Sequence, residues 1–253
     1  MLNTYEQQVL AEVAAWQDAM RKPPSKVNNA TKTVQRNINK IIPEKVHKVI
    51  TGAIKQMVRG VLFGADITTF KPKDIKSFEA TEVKVKEKIN IYCSTASAEG
   101  AITGFGGFIS GMADFPIWLT IKMKMLYEVA NLYDIDIKDY KERLFILNIF
   151  QLAFSSQAHR NEVFKLVSDW NRRKELLPDD IHQFDWRTFQ LEYREYIDLA
   201  KLLQLVPGLG AVVGAYVNHK LTDKLGKTAM NAYRLRRLSG DTPYVKLIKS
   251  KTA

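Results

Sequence analysis

The segment from Glu99 to Tyr133, EGAITGFGGFISGMADFPIWLTIKMKMLYEVANLY, constrains the fold more than any other stretch of the chain. Its first half is almost uncharged and carries Gly100, Gly104, Gly106, Gly107 and Gly111 among Ala101, Ile102, Phe105, Phe108 and Ile109. Each glycine costs a helix about 1 kcal/mol relative to alanine, so this density calls for a compensating gain. Close approach of two backbones supplies one. Gly100 and Gly104, like Gly107 and Gly111, are four residues apart, which places each pair on one helix face with no side chain to hold a neighbour away.

The small-residue run ends at Asp114, a favoured N-cap, and Pro116 is tolerated in the first turn of the helix that such a cap opens. A bend is expected there, followed by a second helix to about Tyr133 with Trp118, Ile121, Met125, Val129 and Tyr133 on its apolar side. Gly100 to Ile121 has the length of a membrane span, for which about 20 residues are needed. Asp114 and Pro116 interrupt it, so a buried or re-entrant helical hairpin fits better than a crossing helix. The theme returns in VPGLGAVVGAYV, residues 206–217, where Gly210 and Gly214 are again four apart and Pro207 is placed to open a helix. The expectation is that the two small-residue helices cross at the centre of one all-α bundle of about eight to ten helices, with two glycine-rich hairpins inside it.

The flanking sequence reads as helix throughout. Leu2, Tyr5, Val9, Val13 and Trp16 mark a first amphipathic helix that Pro23 and Pro24 end. Between Glu44 and Leu62, Val46, Val49, Ile50, Ala53, Met57 and Val61 fall on one arc, with Lys45, Lys48, Lys55 and Arg59 on the other. Residues 63–77 lose periodicity and read as a loop. From Glu82 to Tyr92 the chain alternates in the manner of a strand, yet Val85, Ile89, Tyr92 and Ala96 also make a helical stripe, and no neighbouring run offers a strand partner. Helix is therefore expected. Asp139 and Glu142 form a capping pair ahead of a helix apolar on most sides, which belongs in the interior. Further helices are expected from Arg160 to Lys174, from Trp186 to Leu203 with Asp185 as cap, and from about Asn218 to Leu238. This divides the chain into N-terminal basic helices over 1–81, a core over 82–240 packed with them as one domain, and a flexible polar tail over 241–253.

Charge is concentrated. Of a formal net charge of +11, the residues from Arg21 to Lys88 hold sixteen Lys/Arg against six Asp/Glu, an excess of ten. Such a block suits a solvated face, an anionic lipid surface or nucleic acid. It lacks interleaved aromatics and any reading motif, which places nucleic acid last. A single cysteine, Cys93, excludes an intrachain disulfide and reads as a small buried hydrophobe. The N-terminus carries Glu6, Glu12 and Asp18 on a helical pattern and does not read as a signal peptide, so the cytosol or the inner face of the cytoplasmic membrane is expected.

Several segments in order, EGAITGFGG, the ADFP turn, the Met- and Leu-rich helix ending in ANLYDID, then VPGLGAVVGAYVN and TAMNAYRLR, resemble the EcsC family over roughly Glu82 to Leu238. The resemblance implies a helical bacterial protein, cytoplasmic or membrane-associated, with no established catalytic activity. The family takes its name from an operon product encoded beside an ABC transporter's subunits. One departure concerns the C-cap after the central helix, where relatives often carry glycine and this chain has Asp134.

No chemical motif stands out. His47, His159, His182 and His219 form no pair at ligand spacing, so no metal is expected, and no phosphate loop, dinucleotide fingerprint or nucleophile elbow calls for a cofactor. Glu99, Asp114, Glu128 and Asp198 are the polar groups inside apolar surroundings. They are the candidates for a hydrolase acting on a lipid or peptide, set against the simpler account of carboxylates partnered by Lys or Arg. The leading expectation is a non-enzymatic, membrane-peripheral protein associated with a transporter or other membrane machinery. Lys45, Lys48, Lys55 and Arg59 are its contacts to anionic lipid or an acidic partner.

Overall fold

The computed structural model describes residues 4–23, 44–63, 77–105, 115–156, 159–197 and 211–239; the side chains at 44–47, 99–105, 194–196, 211–214 and 239 fall outside the description. Nine α-helices are found among the described residues. They are α1 Thr4–Arg21, α2 Glu44–Phe63, α3 Phe78–Phe105, α4 Phe115–Leu132, α5 Tyr140–Phe154, α6 Arg160–Ser168, α7 Trp170–Glu175, α8 Trp186–Tyr196 and α9 Ala211–Ser239, with a 3-10 turn at Ile181–Gln183. The fold is all-α, and the β-type contact seen among these residues is an isolated bridge between Ser155 and Ile197.

Two long helices, α3 and α9, share the most extensive packing among the described residues. Contacts run from Glu82 with Arg234, through Ile89 with Gly226 and Cys93 with His219, to Ala96 with Asn218, one number rising as the other falls, so the pair is antiparallel. The alternating run Glu82–Tyr92 lies within α3. Its helical stripe wins because Val85, Ile89, Cys93 and Ala96 are all buried against neighbours. The close approach is made at Gly226, where an alanine methyl would stand 2.6 Å from Ile89 Cγ2. Gly100 and Gly104 belong to α3 and Gly214 to α9, while Gly107, Gly111 and Gly210 lie outside the described residues, as does Asp114.

Around this pair, α5 forms the centre of the core. Apart from Lys141 and Arg143, every residue from Tyr140 to Phe154 is buried. Asp139 caps its start by accepting the Lys141 N–H at 2.8 Å, and Asp185 caps α8 through Thr188 N–H at 3.0 Å. At the end of α4, Asp134 takes a left-handed φ of 59° while its N–H reaches Asn131 O and the Ile135 N–H reaches Ala130 O. This is a Schellman closure with aspartate in the place that glycine fills most easily.

Three expected boundaries move. The Arg160–Lys174 helix is broken at Asp169 into α6 and α7. The helix from Trp186 stops at Tyr196, because Ile197 turns extended to bridge Ser155. The residues from Ala211 form one continuous helix with those beyond Asn218 rather than a separate segment. Val49, placed on the apolar arc of α2, is 40% exposed, and the buried stripe is Ile50, Ala53, Ile54, Met57, Val58, Val61 and Leu62.

Gly226→Ala is expected to destabilise the protein by about 1–3 kcal/mol, since the added methyl would crowd Ile89, a side chain stiff at χ1. Gly60→Ala on α2, where a methyl would meet nothing within 4 Å, is expected to stabilise by up to about 1 kcal/mol. Urea unfolding of the two variants checks the opposite signs.

Candidate functional site

Glu82 sits on the apolar stripe of α3, three residues before Val85, and is fully buried. A lone carboxylate there would be expelled or neutralised. It is instead held by four donors. Arg234 of α9 grips it through Nε at 2.7 Å and Nη2 at 2.5 Å, Tyr5 Oη of α1 donates at 2.6 Å, and Tyr133 Oη, after α4, donates at 2.7 Å. Arg234 then spends Nη1 on Glu12 of α1 at 2.7 Å. Burial and the neighbouring Glu82 push the Tyr5 hydroxyl up to about 12 and hold that of Tyr133 well above its ordinary value, so both remain donors.

A second cluster sits at the start of α5. Glu142, expected to reach back to the cap, instead binds Lys174 of α7 at 2.5 Å and Arg236 of α9 through both oxygens. Burial alone would push the Glu142 carboxyl up, but these donors outweigh it and hold it below the usual carboxylate range. Asn218 makes a third junction, accepting from Trp118 Nε1 at 2.6 Å and donating to Ala96 O at 2.8 Å.

Among the four candidate carboxylates, Glu128 is the one whose side chain is described. It pairs with Lys88 at 3.1 Å. Glu99 lies in α3 with its side chain outside the description, and Asp114 and Asp198 lie outside the described residues. The residues that the sequence reading missed are Glu82 and Arg234. The available signal was an acid and a base, each on the buried stripe of a long helix.

A cleft of about 430 Å³ opens between α1, α3 and α9, floored by Ile89 and Met230 and edged by Glu12, Lys86, Asp223 and Lys227. Its charges are already mutually compensated in part, Lys227 pairing with Asp223 at 2.8 Å, and Glu128 is not part of its lining. Cys93 is buried, and burial, with the nearby Asp223, pushes its thiol up to about 11. Ser156 Oγ lies 3.1 Å from His159 Nδ1 and also accepts the His159 N–H, an arrangement that closes the turn into α6. No group of three or more His, Cys, Asp or Glu is placed to hold a metal among the described residues.

The basic face of α2 is the remaining candidate. Lys48, Lys55 and Arg59 are exposed on the side opposite the buried stripe, and the Lys45 side chain lies outside the description. The C-terminal carbonyls of α2 are taken by Tyr127 Oη, which donates to Val61 O at 3.3 Å, and by Arg143 Nη2, which donates to Leu62 O at 2.9 Å. The face is thus carried on a helix whose end is fastened to α4 and α5. Among the described residues, no helix is long and apolar enough to cross a membrane.

The sequence profile of a family described as the EcsC protein family matches residues 7–238. The protein named Protein EcsC of Bacillus subtilis (strain 168) is 41% identical over 237 residues, covering 93% of this chain and 97% of that protein. The Uncharacterized protein YdbA of the same organism is 30% identical over 145 residues, 57% of this chain and 53% of its own. No solved structure gives a significant match.

The variants Glu82→Met and Arg234→Met should each cost about 3–5 kcal/mol, because each strands a buried charge. The double variant should be less destabilised than the sum by about 2–3 kcal/mol. Denaturant unfolding of the four proteins gives this coupling directly.

Proposed function

This chain belongs to the EcsC protein family, and from that premise we propose that it is a non-enzymatic helical protein working at the periphery of a membrane, beside a transporter or other membrane machinery. It meets anionic lipid or an acidic partner through the basic face of α2. One observation carries the reading: α2 commits Ile50, Ala53, Ile54, Met57, Val58, Val61 and Leu62 to the core while presenting Lys48, Lys55 and Arg59 outward. A helix that needed its apolar side for the bilayer could not also spend it on packing. The contact is therefore electrostatic first, and basic residues at an anionic surface contribute on the order of 1 kcal/mol each within a Debye length of about 8 Å.

Flotation with vesicles tests this. The protein is expected to float with phosphatidylcholine vesicles containing phosphatidylglycerol, to float poorly with phosphatidylcholine alone, and to be released as salt is raised. The triple variant K48E/K55E/R59E should lose the difference between the two. Equal, negligible flotation with both vesicle types would remove the lipid reading.

A further inference from the structure

The basic stripe of α2 does not end in a charge. Lys48, Lys55, Arg59 and Phe63 recur at steps of seven, four and four, so they share one face. Phe63 is 43% exposed, at the helix end held by Tyr127 and Arg143. Beside it stands Trp186, 38% exposed, the first residue of α8; the two rings meet edge to face at 6.3 Å and 88°. α8 is fixed in this position. Gln190 Nε2 reaches Lys55 O at 3.3 Å, and Tyr193 Oη donates to Leu147 O of α5 at 3.0 Å. On the outer side of α8, Arg187 and the 60% exposed Leu191 are four apart, with Glu192 as the adjacent acid.

Single exposed apolar side chains are ordinary on a protein surface. Two aromatic rings in mutual contact, exposed at the end of a cationic stripe and carried on two anchored helices, make a different arrangement. Tryptophan favours the headgroup region, where its ring is sheltered and its N–H stays wet. Cations beside such rings are drawn to the same depth by lipid phosphates.

We infer that Phe63 and Trp186, flanked by Lys55, Arg59 and Arg187, form an interfacial anchor that enters the headgroup layer of an anionic bilayer. The inference rests on the membrane reading above and deepens it by naming the bilayer as occupant and the inserting residues. Charge complementarity selects that occupant: four cations, Lys48, Lys55, Arg59 and Arg187, stand at this surface against two acids, Asp185 and Glu192. It also divides the work. The cations give attraction that salt screens, and the rings give a component that salt does not remove.

The test uses the full chain with phosphatidylcholine/phosphatidylglycerol vesicles whose acyl chains carry bromine near the headgroup, a short-range quencher of tryptophan fluorescence. Wild type is expected to be quenched on binding. The W186F variant, which keeps a ring at the site and leaves Trp16, Trp118 and Trp170 in place, should lose that quenching while retaining its helical circular dichroism. The F63A/W186A variant should bind about tenfold more weakly, and what remains should be fully reversed by salt. Vesicle binding with Trp186 unquenched, or with F63A/W186A indistinguishable from wild type, would overturn the anchor and leave the electrostatic reading standing. Absence of binding to any anionic vesicle would overturn both.

Discussion

The placement of Glu82 is the constraint on which the rest of the structure depends. A carboxylate removed from water is tolerable only when its lone pairs are filled, and here the donors come from three other parts of the chain: Tyr5 near the start, Tyr133 near the middle and Arg234 close to the end of the last helix. Ion pairs of this sort add little net stability over apolar packing, but they punish misalignment severely. Sliding α9 by one turn along α3 would strand both Glu82 and Arg234 and would drive Ile89 off the notch at Gly226. The steric and electrostatic locks therefore select the same register, a consistency expected of a sequence that specifies one structure.

From that register the outer surface follows. The fit of α9 against α3 brings Arg236 to Glu142, which in turn holds Lys174 and so fastens α7 to the start of α5. Arg143, one residue on, reaches Leu62 O and fixes the end of α2. Tyr193 ties α8 to α5 from the other direction. The surface made by α2 and α8 is thus carried on helices that Arg143 and Tyr193 tie to α5, so the core positions the backbones bearing its basic and aromatic groups. Preorganisation of this kind lowers the ordering cost of binding.

Much of this was legible in the chain. Caps at Asp139 and Asp185, the interior helix α5, the buried Cys93 and the two-sided character of α2 were each carried by a local pattern that the tertiary structure had no reason to override. Glu82 was not legible, because the reading of α3 followed its apolar stripe and passed over a charge standing on it; only the opposing Arg234, distant in sequence, makes that position sensible. Gly226 was missed for a related reason. Clusters of glycine draw the eye, whereas a single glycine in a polar-looking run, KLGKTAM, acquires meaning only when Ile89 of another helix is found against it. Asp134 shows the converse: an aspartate stands where glycine fits most easily, and the backbone nonetheless takes the left-handed turn.

Native-state hydrogen exchange tests the central claim most directly. If the lock at Glu82 and Arg234 organises the molecule, the amides of α3 and α9 beside it should exchange only through global unfolding, and those of α1 should share that protection through Tyr5 and Glu12. Exchange of α9 by local opening, while α5 stays protected, would contradict the account.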